Sequence, residues 1–471
     1  VTPSRRFQLS GIIMTIEDNT AAHPKQMEPI TQDNLLINFT TEFHRVWSTN
    51  GSKAKPATFW RPTPAPDALP GYFPLGDVLI PGDTNINGEM VAAVVCEKDM
   101  EGARSTKGKA LARPVDFDLV WKETGAPSVT PMSIWRPLAP VGYVALGLVC
   151  SNDHCKPSLN SVRCVRLDLV IAANVGELIW NDKGSGAKLS FSAFGIEPPT
   201  AAAGDIHFAP CTFVGIQGYS KPVAPSTAYS LRMQIPLQVS APPPIPILTG
   251  YAKPAVNEPA TVTQIARLPW FVVRDHAHPG EQFRNSPYYE LKRTDEYLLI
   301  GHEHNESDKY RAVKWMASRA QNALTMRMFH GFTAMEIVKA WPTMPLSDIR
   351  LTKFSACLPK SLTRTETSSS GWNELRPQVV IGMAPKQTAV AVYQLQSHYE
   401  LVREDGTQVA VDFGYTDDSS VLLTQYPPES VEVVSACPPL KTDTPADPDI
   451  DGANVSAQPQ PDLEVAIDSA P

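Results

Sequence analysis

Apolar positions in this chain come in short runs, and the clearest of them alternate. Cys164-Val-Arg-Leu-Asp-Leu-Val170 sends successive side chains to opposite faces, as a half-buried strand does. Met90-Val-Ala-Ala-Val-Val-Cys96 is a continuous apolar run of strand length, and Leu268–Arg274 and Pro287–Arg293 also read as strands. Tyr399–Arg403 and Gln408–Phe413 flank Glu404-Asp405-Gly406, which is the pattern of a hairpin. Gly, Pro and Asn punctuate the chain at roughly ten-residue intervals, the spacing of a sandwich, barrel or prism of short strands. The best helix candidate is Asp308–Met328, where the apolar spacing is mixed. No run approaches the roughly 18 apolar residues of a membrane-spanning helix. The pattern predicts an all-β chain.

One phrase recurs three times. It reads Val46-Trp47, Gly51, Phe59-Trp60-Arg61-Pro62, then Val120-Trp121, Gly125, Ile134-Trp135-Arg136-Pro137. A third, reduced copy reads Ile179-Trp180, Gly184, Ala193-Phe194-Gly195. The first Trp precedes the second aromatic by 13, 14 and 14 residues. Two copies continue into Gly71-Tyr72-x-x-Leu75-Gly76 and Gly142-Tyr143-x-x-Leu146-Gly147. A repeated unit that cannot hide its apolar face alone buries it against its neighbours, so three copies predict a closed threefold body, and a β-prism is the natural form. Trp47, Trp121, Trp180, Trp60, Trp135, Arg61 and Arg136 are then its structural anchors.

The resulting organisation is a flexible arm over 1–30, a three-repeat domain over 31–224, a proline-rich linker over 225–262, a second β-rich domain over 263–435 and an acidic tail over 436–471. The 45 prolines favour short strands and extended linkers over long helices. The net charge of −8 is concentrated at the end: residues 441–471 hold seven acids against Lys441, leaving −2 for the rest. A body so near neutral has no basic stripe for nucleic acid. The tail, rich in Pro, Asp and Ala, buries too little apolar surface to fold. The seven cysteines fit no paired metal spacing; buried free thiols are favoured over one or two disulfides. Residues 1–13 lack the apolar core and cleavage site of a secretion signal. The compartment is open between secretion without a signal peptide and a cytoplasmic or vacuole-associated place.

Phe59-Trp-Arg-Pro62, Phe117-Asp-Leu-Val-Trp121, Ile134–Tyr143, Arg163–Asp168 and Leu178–Ala187 together resemble the Vps62 family, the vacuolar protein sorting 62-related proteins, over about residues 40–222. The third copy departs from the family pattern in lacking Trp-Arg-Pro. The resemblance implies a fold more readily than a reaction. Relatives that join this module to a second β-rich domain look like insecticidal or pore-forming proteins, and residues 264–428 are loosely similar to that domain through Ser286–Leu291 and Tyr399–Gly406.

The loops Ser48–Ser52 and Asn181–Gly186 carry hydroxyls, amides and backbone N–H groups on turns, so Asn50, Gly51, Ser52, Asn181, Asp182, Gly184 and Ser185 are the candidate ligand contacts. His276/His278 and His302/His304 sit two apart and each pair suits a strand face, but no third ligand is fixed, and surface histidines are favoured over metal. Lys360–Ser370 is hydroxyl-rich and reads as a surface loop or edge strand, and Val379–Met383 is a short apolar run. No G-x-S-x-G, phosphate-cradling loop or H-E-x-x-H occurs, and the chain reads as a non-enzyme without cofactor or metal. The expected function is attachment to a glycan or lipid head group at a membrane surface by a toxin or defence protein, with no transmembrane helix and with homo-oligomerisation compatible. The alternative is an intracellular vacuolar sorting adaptor.

Overall fold

The computed structural model describes residues 28–98, 107–124, 130–222, 228–255, 259–275, 277, 279–317, 339–340, 353–363, 378–409 and 413–428. The described chain is almost entirely antiparallel sheet, with short helices only at Pro279–Asn285 and Lys360–Thr363 and two 3-10 turns. His276, His278, the arm before residue 28 and the tail after 428 lie outside the described residues.

Each repeat folds as its own three-stranded sheet. Copy one is Phe43–Ser48, Ala57–Pro62 and Val78–Pro81; copy two is Asp116–Lys122, Ser133–Leu138 and Val149–Ser151; copy three is Asn174–Asn181, Phe191–Glu197 and Val214–Gln217. In all three the middle strand in chain order is also central in the sheet, with antiparallel neighbours. Adjacent strand residues face opposite ways, so each copy has two apolar faces to cover. The first Trp and the inner residue across from it (Trp47 with Phe59, Trp121 with Ile134, Trp180 with Ala193) enter one shared core with Phe191 and Phe213. The next residue along, Trp60, Trp135 or Phe194, points away into a smaller core of its own.

The shared core closes on itself. Ring centroids lie 6.4 Å apart for Trp47–Trp121 and 6.1 Å for Trp121–Trp180, both edge-on. Trp47 Nε1 donates to the Thr130 carbonyl of copy two at 2.9 Å, Trp121 Nε1 to Leu189 of copy three at 2.8 Å, and Trp180 Nε1 to Lys55 of copy one at 2.8 Å. Thr130, Leu189 and Lys55 each stand four residues before the inner residue of their copy, so the three bonds occupy equivalent places and run in a ring.

At the other end of the core, Gly76, Gly147 and Thr212 meet. A Cβ on Gly76 would lie 2.9 Å from Gly147 Cα, and one on Gly147 would lie 2.6 Å from Thr212 Cβ. That crowding is why Leu-Gly recurs in the first two copies. Backbone bonds there also step between copies, from Asp77 N to Leu148 O at 2.8 Å and from Leu148 N to Phe213 O at 3.2 Å.

The second half is built on a five-stranded sheet ordered Leu237–Val239, Thr261–Pro269, Tyr288–Asn305, Thr388–Arg403 and Phe413–Tyr426. Gly406 takes φ +82° at the turn before the last strand, a conformation open to glycine at no steric cost. Residues of both halves share the largest core: Ile37, Phe39, Ile206 and Phe208 pack with Trp270, Phe271, Tyr289 and Tyr399. Asp205–Phe208 also pairs directly with Lys353–Ala356. Between the halves, Tyr229–Gln234 and Leu237–Val239 form strands, and the proline-dense residues after them run without regular structure.

Four local expectations are corrected. Leu268–Arg274 is strand only through Pro269 and then makes a 3-10 turn at Trp270–Val272, which buries all three of its side chains. Cys164–Val170 is not one strand: a 3-10 turn at Leu167–Leu169 swings Leu167 and Asp168 outward, and Arg166 is buried against Asp33 at 2.7 Å. The described part of the Asp308–Met328 helix candidate holds instead the strand Arg311–Ala317, paired throughout with the distant Gln378–Ala384, while residues 318–328 lie outside the described residues. Of the Lys360–Ser370 segment expected as a surface loop or edge strand, Lys360–Thr363 is a single helical turn with Leu362 buried, and residues 364–370 lie outside the described residues.

Candidate functional site

The hairpin loops of copies one and three, and the described ends of the copy-two loop at Thr124 and Thr130, meet over the tryptophan end of the shared core. A Cβ on Gly184 would lie 2.9 Å from Lys53 O, and Lys188 N donates to Thr124 Oγ1 at 3.1 Å, so the third loop touches both others. Asn50 and Gly51 are exposed at the tip of the first loop, where Gly51 takes φ +88° and Asn50 Nδ2 donates to Asp83 at 3.1 Å. Ser52 is half-buried, and its hydroxyl accepts from Ala54 N at 3.1 Å. Gly184 is exposed and Asn181 half-buried on the third loop.

Asp182 and Ser185, grouped with these as ligand contacts, are instead buried and serve the loop itself. Asp182 accepts from Phe191 N at 2.9 Å and from Trp121 Nε1 at 3.0 Å, while Ser185 Oγ accepts from Ala187 N at 3.0 Å. Thr49 holds the equivalent place in copy one, accepting from Ala57 N at 2.9 Å. Of the seven candidate contacts, Asn50, Gly51 and Gly184 are thus exposed, Ser52 and Asn181 half-buried, and Asp182 and Ser185 buried.

The arginines of Trp-Arg-Pro are inter-copy stitches. Arg61 grips Asp77 with two bonds at 2.8 and 2.9 Å and donates to the Cys150 carbonyl at 2.7 Å. Asp77 is wholly buried and also accepts from Cys150 N at 2.7 Å. Arg136 donates to the Gly215 carbonyl at 3.2 Å, the equivalent reach from copy two to copy three. Burial raises the thiols of Cys164 and Cys211 to about 12. Among the described residues the cysteines are free thiols and no three His, Cys, Asp or Glu side chains converge as a metal site would need. His304 stacks on Tyr251 at 4.7 Å, and burial, then the charge of His304, lowers the His302 pKa.

A feature that sequence reasoning passed over lies in the second half. Arg311–Ala317 and Gln378–Ala384 make a two-stranded ribbon with Lys314 opposite Ile381 and Met316 opposite Val379. One face rests inward through Trp315, whose ring fills the space where a Cβ on Gly301 or Gly382 would sit. Among the described residues the other face is open: Met316, Val379, Ile381 and Met383 are 58%, 50%, 64% and 53% exposed. Isolated apolar surface residues are ordinary; four together on one ribbon are not. Concavities lie among the described residues as well. One of about 640 Å³ opens beside Phe73, Arg113, Tyr143 and Arg163. One of about 470 Å³ is lined by Arg136, Pro137 and Val214–Ile216, and one of about 410 Å³ lies near Phe39 and Phe283. Among the described residues no helix is long and apolar enough to cross a membrane.

With this geometry in view, the comparisons place the first half. Residues 16–230 match the Vps62 family, described as vacuolar protein sorting-associated protein 62. The match spans all three Trp-bearing sheets and ends before the ribbon. No curated protein matches the chain. Among solved structures, the chain is similar to GNIP1Aa from Chromobacterium piscinae at 24% identity and a TM-score of 0.33, over 42% of this chain and 35% of that one. The chain thus spans about a third of the length of GNIP1Aa. It is also similar to Cry35Ab1 at 10% identity and a TM-score of 0.27, over 68% of this chain and 89% of that one.

Proposed function

We propose that this protein is a non-enzymatic, toxin-like β protein that acts at a target-cell membrane. The Vps62-type half recognises a glycan or lipid head group, and the second half brings its apolar ribbon to the bilayer. The observation that carries the reading is the open ribbon face of Met316, Val379, Ile381 and Met383, with Lys314 set among them. A lysine stem lies along apolar surface while its ammonium reaches polar head groups, so a single cation suits an interfacial face. The loop tips at Asn50, Gly51, Asn181 and Gly184 supply the amides and backbone groups for sugar or head-group recognition.

The protein should release dye from loaded liposomes containing sterol and glycolipid at micromolar concentration. Replacing Ile381 and Met383 together by Asp should abolish release while leaving the melting temperature within a few degrees, since both side chains already face solvent. Absence of release across several lipid compositions and pH values would overturn the reading and favour a sorting adaptor, the role named in the description of the matching family.

A further inference from the structure

The 640 Å³ concavity holds a charge arrangement that nothing described so far explains. It lies where the Gly71–Phe73 segment of copy one meets Leu111–Arg113 and Tyr143 of copy two. Arg163 enters it with 8% of its surface exposed, its guanidinium carbon 3.4 Å above the centre of the Phe73 ring. Its Nη1 donates to the Val162 carbonyl at 2.9 Å, one use of the five N–H groups a guanidinium carries. Arg113 and Lys109 stand on the same wall, and among the described residues no carboxylate lies within ion-pair distance of Arg163, Arg113 or Lys109. Burial lowers the Arg163 pKa, and the like charge of Arg113 lowers it further. Glu97, the one carboxylate lining the cavity, accepts from Ala110 N at 2.9 Å.

Among the described residues, the other buried arginines, Arg166 and Arg293, and the partly buried Arg61 each have a carboxylate. Arg61 has Asp77, Arg166 has Asp33 and Asp168, and Arg293 has Asp295. Holding a guanidinium out of water beside a second one is costly unless an anion joins them. Two arginines and a lysine around one opening match the oxygens of a phosphate ester, which guanidinium groups bind with paired hydrogen bonds. The opening is of ordinary small-ligand size rather than that of a bare ion. Phe73 holds the Arg163 guanidinium against its face, and Tyr143 adds an aromatic wall for the ring that carries such an ester.

We infer that this cavity, framed by Arg113, Arg163 and Lys109, binds the phosphate of a phosphorylated polyol or sugar head group. The proposal deepens the membrane-recognition reading by naming a ligand class and a second place for it, apart from the loop tips. It needs no membrane to be tested. Calorimetric titration of the full chain with inositol trisphosphate should show saturable binding, with neutral inositol bound at least about tenfold more weakly. Arg113→Gln, at an exposed position, should keep the melting temperature and weaken trisphosphate binding by about tenfold; Arg163→Lys, which keeps the charge but loses the fork, should also weaken it. Equal binding of neutral inositol, or unchanged affinity in a folded Arg113→Gln protein, would overturn the site.

A co-sedimentation arm distinguishes the two sources of the head group. Recruitment to vesicles carrying a phosphoinositide, competed away by free trisphosphate, identifies the lipid. Binding of the soluble compound without such recruitment identifies a free phosphorylated polyol. Trisphosphate binding without dye release would sink the membrane reading and leave this site standing, and dye release without trisphosphate binding would do the reverse.

Discussion

Removing the Asp77 carboxylate would strand Arg61 in the seam between two repeats. Breaking a buried pair from one side costs about 3–5 kcal/mol, so Asp77→Ala should lower the denaturant midpoint sharply, more than any loop-tip change such as Asn50→Ala. Trp135, buried among Phe117, Val149 and Val162, should cost about as much when cut to Ala. Acid sensitivity has an identifiable source in Asp295. Burial alone would raise its pKa, but Arg293, Ser397 and Thr263 together hold it below the ordinary value. A carboxylate with a depressed folded pKa adds stability that is full above the unfolded value, about 3.9, and lost as pH falls through the folded one. Urea midpoints should therefore be flat near neutrality and drop below about pH 4, with a shallower drop in Asp295→Asn. At this scale the sequence displayed residue types and hid partners. Asp182 and Ser185 looked like exposed loop chemistry because Asp and Ser populate both ligand sites and self-capping turns. Only the fold shows that Asp182 accepts from Trp121, a residue 61 positions away.

Strands were legible where both partners are near in sequence. The Trp-to-aromatic spacing encodes a hairpin loop, and each copy folds as that spacing implies. The ribbon was not legible, because Arg311–Ala317 pairs with a strand more than sixty residues further on and its apolar spacing suits no single period. Val379–Met383 looked too short to matter; paired, it doubles into a face. Gly301 is the test of how that face is held. A Cβ there would overlap the Trp315 ring, so Gly301→Ala should loosen the ribbon, lower stability by about 1–3 kcal/mol and increase proteolysis within it. Unchanged proteolysis would mean that Trp315 does not anchor the ribbon.

Across the whole molecule, three equivalent Trp–carbonyl bonds join the copies in a ring, so no copy is complete by itself. The repeat and its all-β character were readable in the sequence because they depend on periodicity and spacing. The large core joining the two halves was not, because Phe39 and Phe208 meet Trp270 and Phe271 only through tertiary packing. A fragment ending at residue 224 would expose that surface and should bind hydrophobic dye more strongly than the full chain. The claim that matters most is that the ribbon meets the bilayer, and the direct measurement is an environment-sensitive fluorophore at Ile381→Cys in a Cys155→Ser background, which removes an exposed thiol. On adding sterol- and glycolipid-containing vesicles its emission should shift to the blue, while the same probe at the fully exposed Val141 should not move. Identical, unshifted spectra at both positions under conditions where the protein sediments with the vesicles would contradict the account.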